Sequence, residues 1–266
     1  MKVRMYNVGF GDCFCLRDRK KSLLVDFGTN NSRIEGRPRR EIFDVIISDL
    51  STIKSKNLLL THFHMDHLSG LLYMMKKKDI SVDFGKIYLP DVFSKKEMSR
   101  TLVLLLLADL LKESGLPSRQ VSLFALVDAL LENKQNVELL SRGKLFENKY
   151  QALWPDTDVI RKETDEVYNR ICEDGKFKEV MDVLLEFAEK LRLIVWSMTA
   201  EGNKPAETVE KETDSTASEL TEQPEVRQKI IRAYVYEREF RRIKALPDFK
   251  KLLAWLNENQ INLRQF

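Results

Sequence analysis

His62, His64 and His67 are the only histidines among 266 residues, and they fall inside six consecutive positions with Asp66 between the last two. The order His-x-His-x-Asp-His offers imidazole nitrogens and a carboxylate, a donor set that suits zinc, manganese or iron, with zinc the usual occupant. In an extended segment, side chains two positions apart point the same way, so His62 and His64 are placed to reach one metal together. Asp66 and His67 follow the turn of the chain and face a neighbouring position. Two adjacent metals activate a bridging water and stabilise the leaving oxygen of an ester or phosphoester. A lone pair of histidines in a loop is more often incidental, but four donors in this order are hard to obtain by chance.

The elements around the cluster fit that role. The run NLLLT before it has the apolar continuity of a buried strand, and an amphipathic helix begins near Leu68. A strand whose end opens onto a helix is a rigid place to hang ligands. Further upstream, KVRMYNV, CFCLR and SLLVDFG read as three short strands, with a glycine-containing turn at residues 9–11. A helix is expected from Arg39 to about Ile53, with Ile42, Val45, Ile46 and Leu50 on its apolar face. KIYLP is a further buried-strand signal. Cys13 and Cys15 alternate with Phe14 on a strand and are expected to be small core residues.

Beyond Ser94 the pattern becomes helical. MSRTLVLLLLADLLKESG and SRQVSLFALVDALLENK predict two amphipathic helices separated by the Gly115-Leu116-Pro117 break, KYQALWPD one more strand-like piece, and most of the remainder further helices. The stretch at 201–226 is polar, acidic and short of bulky apolar residues, the composition of a disordered linker. The domain boundaries expected are therefore 1–157, with a helical insertion at about 95–142, and a helical region at 158–266.

Composition narrows the context. Hydrophobic residues make up 43% and charged residues 32% of the chain, ordinary for a globular protein. Net charge is only +3 and the two signs are interleaved, so composition neither demands nor excludes a nucleic-acid partner. Local basic clusters occur at residues 33–40 and at Lys76, Lys77 and Lys78. Three cysteines do not form a disulfide framework. The opening residues lack a signal-peptide core, and the most apolar run, LVLLLLADLL, is about half the length of a membrane span and is broken by Asp109. A cytoplasmic protein without a membrane segment is expected.

THFHMDHLSG resembles the signature of the metallo-β-lactamase fold superfamily. YNVGFGDCFCLR followed by SLLVDFGT is similar to the opening of the soluble domain of the competence protein ComEC and its relatives. ENKYQALWPD resembles the piece preceding their second half. The resemblance covers residues 1–90 well and 137–156 weakly. It implies an α/β (α+β) fold, the N-terminal part of a metallo-β-lactamase-type αββα sandwich with a long helical insertion and a C-terminal helical region. It also implies a two-metal zinc site, with His62 and His64 at the first position and Asp66 and His67 at the second. Asp66 would orient or deprotonate the attacking water. Asp26, in VDFG, matches a turn that supports the site, although a simple strand-ending role accounts for it equally well. Gly11 and Asp12 match the Gly-Asp turn, where backbone geometry is the expected role.

The chain also departs from that pattern. The full site draws three further ligands from downstream, two histidines and a bridging aspartate in a Gly-Asp pair. No histidine follows His67, and the one Gly-Asp pair is Gly11-Asp12. Truncation, degeneration, or completion by Asp156, Asp158 or Cys172 are the three explanations, with truncation after an insertion preferred. Two functions are carried forward. One is a metal-dependent hydrolase acting on a small-molecule ester or a phosphodiester, nucleic acid included. The other is a non-catalytic relative that binds a protein partner through its helical region, which the histidine inventory favours. Two ligands at each of two positions predict weak metal binding and little turnover.

Overall fold

Three short strands open the chain: β1 (Lys2–Met5), β2 (Phe14–Asp18) and β3 (Lys21–Val25) pair antiparallel in order. The computed structural model describes residues 1–18, 21–77, 83–113, 123–133, 135–173, 175–200, 202, 241–259, 261 and 263. After β3 come a small hairpin of β4 (Arg33–Ile34) and β5 (Arg37–Pro38) and then helix α1 (Arg39–Ser51). Strand β6 (Ser55–Leu59) pairs parallel to β3, helix α2 (Met65–Lys76) follows, and β7 (Ile87–Pro90) pairs parallel to β6. Parallel neighbours need a crossover between them, and α1 and α2 lie in those two connections.

The two faces of this sheet differ. Cys15, Leu24, Leu58 and Ile87 are in register on one face and are 0% exposed. Arg4 and Arg17 share that face and both pair with Asp49 of α1, which places α1 over it. Ile42, Phe43, Ile46, Ile47 and Leu50 form the buried side of α1. Val45, expected there from its spacing, is 59% exposed instead, because Phe43 and Ile47 complete the stripe. The opposite face carries Leu23, Tyr88 and Leu140 beneath Phe146 and Ala152. At the β1 edge of that face Val3 and Met5 stand exposed.

The chain forms two compact units, Met1–Asp91 with Gln120–Pro155, and Val92–Arg119 with Asp156–Phe266. The first unit holds the sheet, helix α4 (Leu123–Glu132), and strand β8 (Val137–Leu140), which pairs parallel to β7 and completes the order β1-β2-β3-β6-β7-β8. A two-stranded hairpin, β9 (Leu145–Phe146) and β10 (Tyr150–Gln151), also belongs to it. Of the expected helical insertion at about 95–142, helix α4 and strand β8 fall in the first unit and its first helix falls in the second.

That helix, α3 (Ser99–Glu113), accounts for the most apolar run in the sequence. Residues 102–108, 110 and 111 are buried on every side of it, the pattern of a central helix rather than of an amphipathic surface one. It packs against α5 (Thr157–Cys172) and α6 (Lys178–Ser197). The Thr101 and Thr164 hydroxyls meet at 3.1 Å and Arg100 pairs with Asp165 at 2.7 Å. Among the described residues no helix is long and apolar enough to cross a membrane. Apart from Gly202, the linker expected at 201–226 lies outside the described residues.

Candidate metal centre

Asp26, the residue after β3, adopts a backbone φ of +54° and is 2% exposed. Its backbone N–H donates to Leu59 O at 2.8 Å, continuing the β3–β6 ladder by one residue. Its carboxylate gathers three donors from both sides of the histidine cluster. Oδ1 accepts the Thr61 N–H at 2.8 Å, and Oδ2 accepts the Thr61 hydroxyl at 2.7 Å and lies 2.9 Å from His67 Nδ1. One carboxylate therefore ties the end of β6 to the first turn of α2. Asp26 thus ends β3 in a left-handed turn and also bonds residues beside and within the cluster, so both of its expected readings fit this bonding.

Tautomers follow from the same bonds. With its proton given to Asp26, the Thr61 hydroxyl accepts from His62 Nδ1 at 2.9 Å. His67 Nδ1 likewise donates to Asp26. In both rings the lone pair is left on Nε2, as a carboxylate-oriented metal ligand requires. His67 Nε2 lies 3.8 Å from Asp66 Oδ2, and the His62 and His67 ring centroids are 3.7 Å apart. Burial opposes protonation of His67, but the Asp26 hydrogen bond and the charges of Asp26, Asp66 and Asp12 hold its pKa above the ordinary imidazole value.

Helix α2 is fixed where it begins. His64 is its N-cap, and its carbonyl accepts from His67 N–H and Leu68 N–H. Phe27 N–H donates to His67 O, and Phe27 O accepts from Gly70 and Leu71. A side chain at Gly11 would fall 2.3 Å from Gly28 O and 2.7 Å from Asp66 O, so the N-terminal turn packs directly on the backbone of the site. Cys13 and Cys15 are buried as expected, and burial pushes the Cys13 thiol pKa upward.

The donor atoms of His62, Asp66 and His67 all lie within 4.8 Å of one another, as do those of Asp12, Asp26 and His67. Donors to a tetrahedral zinc at about 2 Å are themselves roughly 3–3.5 Å apart, a spacing that His67 Nε2 and Asp66 Oδ2 approach at 3.8 Å. His64 joins neither group, although its ring centroid is 4.6 Å from that of His62. Spacing puts His62 with His64 and Asp66 with His67, whereas the donor atoms found within 4.8 Å of one another are those of His62, Asp66 and His67. The cause is α2: its first turn folds Asp66 and His67 back toward the end of β6. Two residues escaped the sequence reading. Thr61 precedes the cluster immediately, and Asp12, read as a backbone turn, has its carboxylate 3.7 Å from His67 Nδ1. Asp156, Asp158 and Cys172 lie in the second unit, where Asp156 caps α5 and Asp158 faces Arg161.

Residues 6–91 match the metallo-beta-lactamase superfamily. This segment is a metallo-beta-lactamase superfamily domain. Over 77 residues the chain is 32% identical to Endoribonuclease YSH1 of Mycosarcoma maydis, a match that takes in 29% of this chain and 8% of that protein. The chain thus spans under a tenth of the curated relative's length. No solved structure matches it. The mixed α/β sheet with its helical region agrees with this superfamily's type of fold, and possible His/Asp metal-binding groups are present.

Proposed function

We propose that His62, Asp66 and His67 hold a divalent metal, zinc by preference and manganese or iron as substitutes, and that the chain hydrolyses a phosphodiester there. The observation that carries this reading is convergence: three donors of the right kind meet at one point, with two of the rings oriented by a buried carboxylate. Three protein ligands and an open position are the pattern of a catalytic zinc. A cation bound there supplies Lewis acidity, which lowers the pKa of water toward neutrality and draws charge from a phosphoryl oxygen. Asp26 and Thr61 keep the two Nε2 lone pairs directed inward. Asp66 has two oxygens, one to serve as ligand and one to orient or deprotonate the attacking water. His64 stands outside this set of three.

The endoribonuclease relative makes a phosphodiester the preferred ester, and the ComEC-like opening turn is compatible with that substrate class. The experiment is elemental analysis of purified protein together with turnover of a small phosphodiester. Near-stoichiometric metal, with turnover abolished in Asp66→Ala and His62→Ala, is expected. Protein that takes up no metal overturns the reading. Stoichiometric metal without turnover would favour the second reading, a non-catalytic binding protein, which rests on the absence of any histidine after His67.

A further inference from the structure

Phe10 is 69% exposed, yet its backbone is pinned on both sides. Its N–H donates to Asn31 Oδ1 at 3.3 Å, and its carbonyl accepts from Asn30 N–H at 2.9 Å and from the Thr29 hydroxyl at 3.1 Å. A large aromatic ring held in water on a fixed loop does not serve the core. On one side, the next residue, Gly11, touches the backbone of Asp66, and Asp12 reaches His67. On the other, the preceding residue, Gly9, lies against Asn31 and Ile34, and Asn7 bonds Glu35 at 2.8 Å. Phe10 therefore stands between the metal centre and the β4–β5 hairpin.

That hairpin is basic. Residues 33–40 read RIEGRPRR, four arginines against one glutamate, and Arg33, Arg37, Arg39 and Arg40 are all exposed. Among the described residues Arg33, Arg37 and Arg39 form no ion pair; Arg33 Nε donates to Gly36 O at 3.0 Å, which fixes its stem without neutralising its charge. The near-zero net charge of the whole chain conceals this local concentration. Guanidinium groups on a short hairpin beside a solvent-facing aromatic ring have the chemistry of a single-stranded nucleic-acid surface, where phosphates meet arginine and a base stacks on the ring.

We infer that Phe10 and the Arg33, Arg37 and Arg39 guanidiniums bind single-stranded nucleic acid and lead its backbone to the metal centre. The inference takes its chemistry from the hydrolase reading above, but the surface is testable without it. Fluorescence anisotropy of a short labelled oligouridylate, with the full chain and with EDTA present, separates binding from cleavage. Three phosphate contacts at about 0.7 each predict a log–log salt slope near −2. Arg33→Ala/Arg37→Ala is expected to reduce that slope by about 1.4, and Phe10→Ala to weaken binding roughly tenfold. Affinity unchanged in both variants, or duplex bound as tightly as single strand, overturns the surface. Metal-dependent turnover of a small phosphodiester without oligonucleotide binding also overturns it and leaves the hydrolase reading standing. Oligonucleotide binding with the expected losses but no diester turnover upholds the surface and removes the hydrolase reading.

Discussion

Asp26 satisfies three donors with two oxygens, and no neutral side chain of its size can do the same. In Asp26→Asn the amide nitrogen must face either the Thr61 N–H or both the Thr61 hydroxyl and His67. The imidazole orientations then loosen, and metal affinity is expected to fall about 10–100-fold. Titration against a chromophoric chelator reads that loss directly. Thr61→Val removes the hydroxyl bridge between Asp26 and His62 but leaves the His67 bond in place, and should give a smaller decrease. Equal affinity in wild type and both variants would show that the carboxylate plays no part in holding the ligands.

At the scale of elements, α2 is docked by absence of bulk. A Cβ on Gly70 would fall 2.5 Å from the Phe27 ring, which itself stacks edge-on against Phe43 of α1 at 5.2 Å. Gly70→Ala should therefore destabilise by about 1–3 kcal/mol, as overpacking does, with lower metal affinity because the first turn of α2 shifts. Urea unfolding measures the first effect, and chelator titration the second. The join between β1, β2 and α1 is electrostatic. Burial works against ionisation of Asp49, but hydrogen bonds from Tyr6 and Arg4 and the Arg17 charge hold its carboxyl below the usual carboxylate range. A depressed folded pKa contributes stability that is complete above the unfolded value, about 3.9, and is lost as pH falls through the folded value. The urea midpoint should drop over that acid window in the wild type and drop less steeply in Asp49→Asn. Parallel pH curves for the two proteins would contradict the assignment.

For the molecule as a whole, the proposed donors all belong to the first unit. A bound metal stabilises whatever it binds, by about 2.7 kcal/mol at a hundredfold excess over Kd. Zinc should accordingly raise the thermal transition of the wild type and leave that of His62→Ala nearly unchanged. Leu184, 0% exposed in α6, is in the core of the second unit. Leu184→Ala should cost about 2–5 kcal/mol of stability there, yet zinc affinity measured on the folded protein should not change. A loss of zinc affinity in that variant would implicate ligands from the second unit, as completion by Asp156, Asp158 or Cys172 would require.

The sequence by itself determined the strands β1, β2, β3, β6 and β7, the position of α1 within two residues at its end, and the place of the histidine cluster between a buried strand and a helix. Those features rest on local signals: apolar runs, glycine turns, and one donor motif confined to six positions. It also located the basic segment at 33–40 and the burial of Cys13 and Cys15. Tertiary structure alone decided which donors share a point, because spacing along an extended chain puts His62 with His64, whereas the first turn of α2 brings Asp66 and His67 to His62. Asp26 lies far from that motif in sequence, and only the parallel pairing of β3 with β6 sets its carboxylate against Thr61 and His67. The same is true of β8, whose four residues become a strand by pairing with β7, and of α3, whose apolar surface is matched by helices beginning more than forty residues later. Long-range pairing and packing have no local signature, so those parts of the fold were not legible in the sequence.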